Sequence, residues 1–492
     1  MFYQCSTIHP HHNKATITMR YKFISRENNN RLILIYAGWG MDWRVFRHMR
    51  RHGYDIIIVW DYRQLTFDWS VVASYDEICL VAWSMGVFAA SVTIHEILPR
   101  ITKSIAVGGT PDPISDTLGI PVEIYRGTAE GLNAGNLRKF HRRMCLDAGH
   151  YSAFREVAPR RDISSLRDEL YALETHTIFH APQVCRWDLA IIGRHDRIFP
   201  PANQMRAWRD KAPTVITEDA HLPDMQSIID DYIVDKDTMA TRFAAATETY
   251  NEASVQVQQK IAQALYKILK NAAAVDALCG DILEIGCGTG TLTRLYADEC
   301  APASQIELWD IAHTDAAAYY DNAVSRCCDA EVAIRRRQPR SAYFILSSST
   351  IQWFNSPTSF LEQCARVLLP GGYIAFSTFV RGNLPELLET CPKLDRHLPT
   401  ANEWRAMLPS ALEPLICQPS VVTITMDSTR DVLEHLRRTG VNALAHGTDA
   451  VTMARRILRH YPRHEDGSYT LTYYPLIIVA RKIDPTIKDL GE

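Results

Sequence analysis

The sequence has no run of roughly 18 apolar residues, the least that a membrane-spanning helix needs, so no span is expected. Its twelve cysteines include no Cys-x-x-Cys pair and no metal-ligand spacing, and the adjacent Cys327-Cys328 suits neither a disulfide nor a zinc site. Reduced thiols and no bound metal are expected. A formal net charge of −3 gives the chain no overall field for nucleic acid or anionic lipid, which leaves only local basic patches as candidate docking sites. The polar, His-rich stretch Met1 to Lys14 lacks the apolar centre of a signal peptide, so a cytoplasmic protein is expected, with residues 1–18 a loose extension and Met19 an alternative start. There are no internal repeats, no low-complexity tract and no Gly/Ser tether.

What is present is a globular composition, 47% hydrophobic and 22% charged, in a chain of 492 residues that suits two to three domains. In the first half, apolar runs such as Leu32 to Tyr36, Asp55 to Val59 and Ile78 to Ala82 read as strands buried on both faces. Ser104 to Gly108 and Trp187 to Ile192 continue the series. Strands alternating with amphipathic stretches predict an α/β fold with an open, mostly parallel sheet. Between about Thr117 and Val184 the pattern turns helical and basic, the signature of an inserted cap. An acidic stretch around Ile228 to Asp237 then precedes a long helical pattern through Phe243, Tyr250, Val257, Ile261 and Leu265. A second strand-and-helix series starts at Ile282. The expected domains are 19–235 and 236–485, with a tail at 486–492.

Cys79 to Gly86 is an apolar strand that breaks at Ser84 and restarts as a helix, the setting of a nucleophile elbow. Gly86 supplies one of the small flanking residues; Ala82 stands where a second glycine is usual. A serine hydroxyl needs a histidine to take its proton and a carboxylate to orient that histidine. In the order Ser, Asp, His, the candidates are Asp196 after a late strand and then His221, with His195 and Asp219 as rivals for base and acid. The oxyanion would be met by the backbone N–H of Met85 and, from Ala37-Gly38-Trp39-Gly40, most plausibly by that of Trp39.

The pairing of Ala37-Gly38-Trp39-Gly40-Met41-Asp42 with Ala82-Trp83-Ser84-Met85-Gly86 resembles the BioG-type pimeloyl-acyl-carrier-protein methyl ester esterases of biotin synthesis. The resemblance covers about Met19 to Ile229 and implies an α/β-hydrolase fold with a helical cap. It also implies a partner, acyl carrier protein, which is acidic. Arg138, Lys139, Arg142, Arg143, Arg155, Arg160 and Arg161 of the cap would suit that partner.

In the second half, Asp281 to Gly290 is a strand running into a glycine turn, Gly286-Cys287-Gly288-Thr289-Gly290. The third glycine comes one residue too early for a dinucleotide fold. With Glu284 before the turn, the segment instead resembles class I methyltransferases, which implies a Rossmann-like fold and S-adenosylmethionine as methyl donor. The resemblance gives Glu284 the methionine end of that molecule. Asp310, closing a second strand, suits the ribose hydroxyls, and Asp329 stands where the family holds the adenine amino group.

Finer matches, at Ile351-Gln352-Trp353, Phe379 to Leu387, Thr439 to Ala443 and Tyr469 to Tyr473, resemble the BioC-type malonyl-acyl-carrier-protein O-methyltransferases. Tyr250 matches a position that closes over the cofactor in that family. Together the two resemblances imply one chain that masks a malonyl carboxylate as its methyl ester and later frees the elongated pimeloyl acid. The physical logic is that a charged chain end is costly in an apolar synthase tunnel and an ester is not. Two other readings stay open from sequence: a general carboxylesterase fused to a small-molecule methyltransferase, and an inert hydrolase-like scaffold that recruits the carrier protein.

Overall fold

The computed structural model describes residues 18–182, 186–247, 255–300, 303–388, 398–438 and 448–484. Tyr250, the stretch 1–17 and the tail 486–492 lie outside the described residues. The chain forms two compact units, Met1–Ser227 and Ile228–Glu492. Among the described residues no helix is long and apolar enough to cross a membrane.

The first unit is built on β1 (Arg20–Ser25), β2 (Arg31–Tyr36), β3 (Asp55–Trp60), β4 (Glu77–Trp83), β5 (Ile101–Val107), β6 (Leu189–Gly193) and β7 (Thr214–Thr217). Their order in the sheet is β1-β3-β2-β4-β5-β6-β7. Only β1 runs antiparallel to its neighbour; the other pairings are parallel. Every residue of β3 and β4 is buried, as the continuous apolar runs require of strands covered on both faces. The winding reverses at β2 and β4, which opens a crevice at their carboxyl ends, the usual ligand position in such sheets.

Four helices, Val122–Glu130, Ala134–Met144, Ala148–Glu156 and Ile163–Phe179, fill the interval between β5 and β6. Asn133, Asp147 and Asp162 cap the last three of them through side-chain oxygens. This cap is tied to the sheet by buried polar bonds. Arg161 bridges Glu169 at 2.6 Å and Asp61 at 3.3 Å, and Glu169 also accepts the Tyr62 N–H at 2.7 Å. Arg161, counted from sequence among the cap's docking cations, therefore lies inside the unit, with a side chain 5% exposed.

The second unit contains β8 (Ile282–Ile285), β9 (Ile306–Asp310), β10 (Ala323–Cys327), β11 (Ala342–Ser348), β12 (Leu368–Phe379), β13 (Leu412–Pro419), β14 (Val422–Met426), β15 (Tyr469–Tyr473) and β16 (Pro475–Lys482). Its main sheet has the order β10-β9-β8-β11-β12-β16-β13, with β16 antiparallel to both neighbours. Here the winding reverses at β8 and β11. The ribbon β14-β15 and the helices Thr429–Arg438 and Thr448–His460 make a small module beside it. The module's core of Val432, Leu436, Ile457, Tyr461 and Leu471 is shared with Leu384 and Leu387. Upstream, the long helical pattern of the sequence gives the helices Lys236–Thr247 and Val255–Ala273.

The elbow's geometry makes a direct prediction. A Cβ on Gly86 would stand 2.5 Å from the backbone oxygen of Tyr36, whereas one on Gly127, in an exposed helix turn, would meet nothing within 4 Å. Gly86→Ala should cost ~1–3 kcal/mol of the first unit's stability, because helix and strand must part. Gly127→Ala should instead be neutral or stabilise by up to ~1 kcal/mol. Urea denaturation of both variants, followed through the first unit's transition, checks the contrast.

Candidate active sites

At the end of β4, Ser84 adopts φ 59° and ψ −127°, a conformation that lifts its side chain out of the strand and into the crevice. Its Oγ lies 3.0 Å from His221 Nε2, and His221 Nδ1 lies 2.9 Å from Asp196 Oδ2. All three residues are buried. Asp196 also accepts the N–H groups of Ile198 at 2.8 Å and Phe199 at 2.9 Å, and the Gln204 amide at 3.1 Å. A carboxylate so surrounded by donors presents an acceptor to Nδ1. That assigns the imidazole hydrogen to Nδ1 and leaves the Nε2 lone pair facing the serine hydroxyl. The ring is further held by Phe199, stacked at 5.9 Å, and by Trp83 Nε1 donating to the His221 carbonyl at 2.9 Å.

The rivals sit elsewhere. His195 is half exposed and faces Glu218 at 3.3 Å, and the Asp219 carbonyl accepts the His195 N–H at 3.0 Å. Gly38 brings the Trp39 loop against the serine, since a Cβ there would lie 3.2 Å from Ser84 Cβ. Met85 opens the helix Met85–Thr93, at a position whose N–H has no carbonyl a turn behind it. The Trp39 indole donates to the Leu166 carbonyl of the cap at 3.0 Å and packs edge-on to Phe140 at 5.0 Å. Sequence reasoning missed Gln204, Phe199 and Gly109. A Cβ on Gly109 would stand 2.3 Å from the Ser84 carbonyl, and the Gly108-Gly109 pair after β5 was the available signal. Arg138, Lys139, Arg142, Arg143 and Arg155 are exposed on the cap, with Arg142 over the Tyr151 ring at 5.3 Å.

The second unit holds a cavity of about 230 Å³ at the carboxyl ends of β8, β9 and β11, lined by the glycine turn, Asp310, Asp329, Phe243, Trp309 and Trp353 among others. Gly286 has φ +68°, and a Cβ there would lie 2.1 Å from Thr350 Oγ1, so the turn tolerates no side chain. Buried Glu284 accepts from Thr293 Oγ1 at 2.8 Å and Tyr296 Oη at 2.6 Å. Asp310 holds the turn itself, accepting the Gly288 N–H at 2.8 Å and the Ala312 N–H at 2.9 Å.

Asp329 caps the helix Ala330–Arg336 and is bridged at 2.6 Å by Lys236, a lysine the sequence reading did not single out. Lys236 is 2% exposed and also meets Glu331 at 2.8 Å. Its only sequence signal was its place at the head of the leading helix. A cavity with a buried carboxylate beside a bare backbone turn, two further carboxylates and aromatic walls fits the ammonium, ribose and adenine of S-adenosylmethionine.

The chain matches the family described as "Pimeloyl-ACP methyl esterase BioG" over residues 19–224 and the family described as "Methyltransferase domain" over residues 283–376. The chain thus joins an esterase unit of the α/β-hydrolase class to a methyltransferase unit that uses S-adenosylmethionine. It is 34% identical over 460 residues to a malonyl-[acyl-carrier protein] O-methyltransferase of Bacteroides fragilis, an alignment that covers 92% of each chain, and it belongs to that family. A protein of the same description from Bacteroides thetaiotaomicron is 29% identical over 51% of this chain and 99% of its own. The crystal structure of BioG from Haemophilus influenzae has 34% identity and a TM-score of 0.38, covering 41% of this chain and 94% of that one.

Burial pushes the Glu284 carboxyl up to about 7, against the hydrogen bonds from Tyr296 and Thr293, which pull it down. A carboxyl raised in the folded state binds its proton more tightly there than in the unfolded chain. Its contribution to stability is therefore present at low pH and lost as pH rises from about 4.5 through 7. The second unit's calorimetric transition should fall in temperature between pH 5 and 7.5, and Glu284→Gln should flatten that dependence. An unchanged slope in the variant would remove Glu284 as its source.

Proposed function

We propose that the first unit hydrolyses the methyl ester of a pimeloyl group on acyl carrier protein, and that the second methylates the free carboxylate of a malonyl group on the same carrier. What carries the reading is one observation: a Ser84–His221–Asp196 hydrogen-bonded relay and a cavity fitted to S-adenosylmethionine occur in one chain. The working boundaries are 19–235 and 236–485, in a cytoplasmic protein.

In the first unit, Ser84 Oγ attacks the ester carbonyl as His221 Nε2 takes its proton, and Asp196 stabilises the imidazolium that forms. The N–H groups of Trp39 and Met85 receive the oxyanion, a donor of this kind being worth about 10²–10³ in rate. His221 then returns the proton to the departing methoxide, which leaves as methanol, and the same base activates the water that frees the acid. The exposed Arg138, Lys139, Arg142, Arg143 and Arg155 would meet the acidic carrier, and electrostatic attraction of that kind acts mainly on association.

In the second unit, the bound S-adenosylmethionine supplies an electrophilic methyl group on a sulfonium. Glu284 would hold its methionine end, Asp310 would accept from the ribose through lone pairs not used by Gly288 and Ala312, and Asp329, held by Lys236, would accept from the adenine amino group. A malonyl carboxylate is ionised at pH 7 like other carboxylic acids and needs no general base. The unit's task is to align it and exclude water, which can be worth ~7–11 kcal/mol at best.

Two variants test the assignment. Ser84→Ala should abolish release of methanol from pimeloyl-carrier methyl ester while methyl transfer to malonyl-carrier stays within about twofold, because among the described residues Ser84 is the hydroxyl that His221 Nε2 meets. Mass spectrometry of the carrier after each reaction reads both activities, and equal loss of the two would refute separate sites. Asp310→Ala should weaken S-adenosylmethionine binding by an order of magnitude or more, as loss of a charged hydrogen bond costs ~1.5–3 kcal/mol. Unchanged affinity by titration calorimetry would take Asp310 out of the ribose site.

A further inference from the structure

Asp196 orients the base of the first site, and a carboxylate can orient a base only if it is itself held still. Rotation of such a terminal group is soft, and the Asp196 side chain, 0% exposed, has no bulk water to fill an empty lone pair. Among the described residues four donors meet it: Oδ1 takes the N–H groups of Ile198 and Phe199, and Oδ2 takes His221 Nδ1 at 2.9 Å and Gln204 Nε2 at 3.1 Å. Two carboxylate oxygens offer roughly four lone-pair sites, so the group is saturated. Two of the donors belong to the loop that carries Asp196, and one is the base itself. The fourth, Gln204, stands on the helix Pro201–Trp208.

Gln204 is fully buried, and its amide has one workable orientation. Nε2 also donates to the Phe199 carbonyl at 2.8 Å. A carboxylate and a carbonyl both accept, so the amide turned over would set an oxygen against two oxygens. In consequence Oε1 is left buried with no hydrogen-bond partner among the described residues. A buried acceptor without a donor weakens the fold, and an apolar side chain of the same size would avoid that cost. What glutamine adds at this position is the donor to Asp196 Oδ2. The helix that carries it is pinned by other bonds as well. Asn203 Nδ2 donates to the carbonyls of Asp116 at 3.0 Å and Gly119 at 2.8 Å, and Trp208 Nε1 donates to the Gly109 carbonyl at 3.0 Å. Gly109 is the residue pressed against the Ser84 backbone. One helix thus braces the acid through Gln204 and the bend behind the nucleophile through Trp208.

We propose that Gln204 is a positioning residue of the first site, holding Asp196 Oδ2 in line with His221 Nδ1 while the base takes and returns its proton. The inference rests on reading Ser84, His221 and Asp196 as the relay of an esterase. Before the reaction Oδ2 accepts from an imidazole; once Ser84 has given up its proton it accepts from an imidazolium, and the attraction strengthens. A carboxylate free to turn would drag the ring with it, and His221 Nε2 would lose its aim at Ser84 Oγ, 3.0 Å away. A misplacement of about 1 Å at a reacting group can cost on the order of a hundredfold in rate. Gln204 makes its hydrogen bonds to Asp196 and Phe199, so its effect reaches the reaction through Asp196.

The test uses the full chain and pimeloyl-carrier methyl ester, with methanol release as the readout. A wild type that releases none, or a Ser84→Ala variant as active as the wild type, overturns the relay and the positioning role with it. With the relay active, Gln204→Met, which keeps the volume and removes the donor, should lower kcat about ten- to a hundredfold and leave KM within about twofold. Gln204→Asn, whose amide falls one methylene short of Asp196, should lose kcat likewise and serves if the methionine variant folds poorly. Asn203→Ala strips two hydrogen bonds from the same helix without touching Asp196. It should lower the unfolding midpoint of the first unit and keep kcat within about twofold. In an Asp196→Ala background, Gln204→Met should reduce the residual kcat no further, because the pair acts as a unit. Wild-type kcat in both Gln204 variants overturns the positioning role. So does a loss of kcat that Asn203→Ala matches, or one that adds in full to the loss from Asp196→Ala, since either marks a contribution to the fold alone.

Discussion

The strand β4 ends in a turn that its own serine would not choose. Ser84 stands at the head of a helix, where its hydroxyl would ordinarily accept a backbone N–H and stabilise the helix by ~0.5–2 kcal/mol. It makes no such bond, and its positive φ costs about 1–3 kcal/mol besides. Both costs are sustained from outside the turn. The Ser84 N–H is held by the Val107 carbonyl at 2.9 Å, and the backbones of Tyr36 and Ser84 crowd Gly86 and Gly109 so closely that neither glycine has room for a methyl group. The rest of the first site follows from that crowding. With its hydroxyl turned away from the helix, the serine has His221 as its hydrogen-bond partner.

The second unit solves a related problem with charge in place of strain. Three carboxylates, Glu284, Asp310 and Asp329, line one cavity, and burial raises the first two above their usual range. Like charges gathered out of water repel, and the unit relieves them locally: backbone N–H groups on Asp310, hydroxyls on Glu284 and a buried lysine on Asp329. Each carboxylate of the cavity thus has its own local partner.

Much of this was legible in the sequence wherever function coincides with a local break in pattern. The elbow at Ser84, the glycine turn after Glu284 and the carboxylate ending β9 each sit where an apolar strand stops, and the strands themselves announce their ends. Asp196 and His221 could be found because loops after late strands are short and few. The choice between His221 and His195 could not be settled locally, since it depends on which loop folds back over β4. Lys236 and Gln204 were illegible for the same reason. Each acts on a partner brought near only by tertiary packing, as Lys236 meets Asp329 across 93 positions of sequence. Arg161 shows the converse: a cation in a basic stretch reads as surface until the carboxylates of Asp61 and Glu169 are seen around it.

The hydrogen bond from the Trp39 indole to the Leu166 carbonyl gives the first unit a mechanical interlock. One residue contributes its backbone to the floor of the serine site and its side chain to the underside of the cap. A cap that swings away takes Leu166 with it and strands a buried indole N–H, at a cost of about 1–3 kcal/mol, and it withdraws Phe140 from the indole face. On the proposed assignment of the Trp39 N–H to the oxyanion, the loop that meets the reacting ester is braced by the roof.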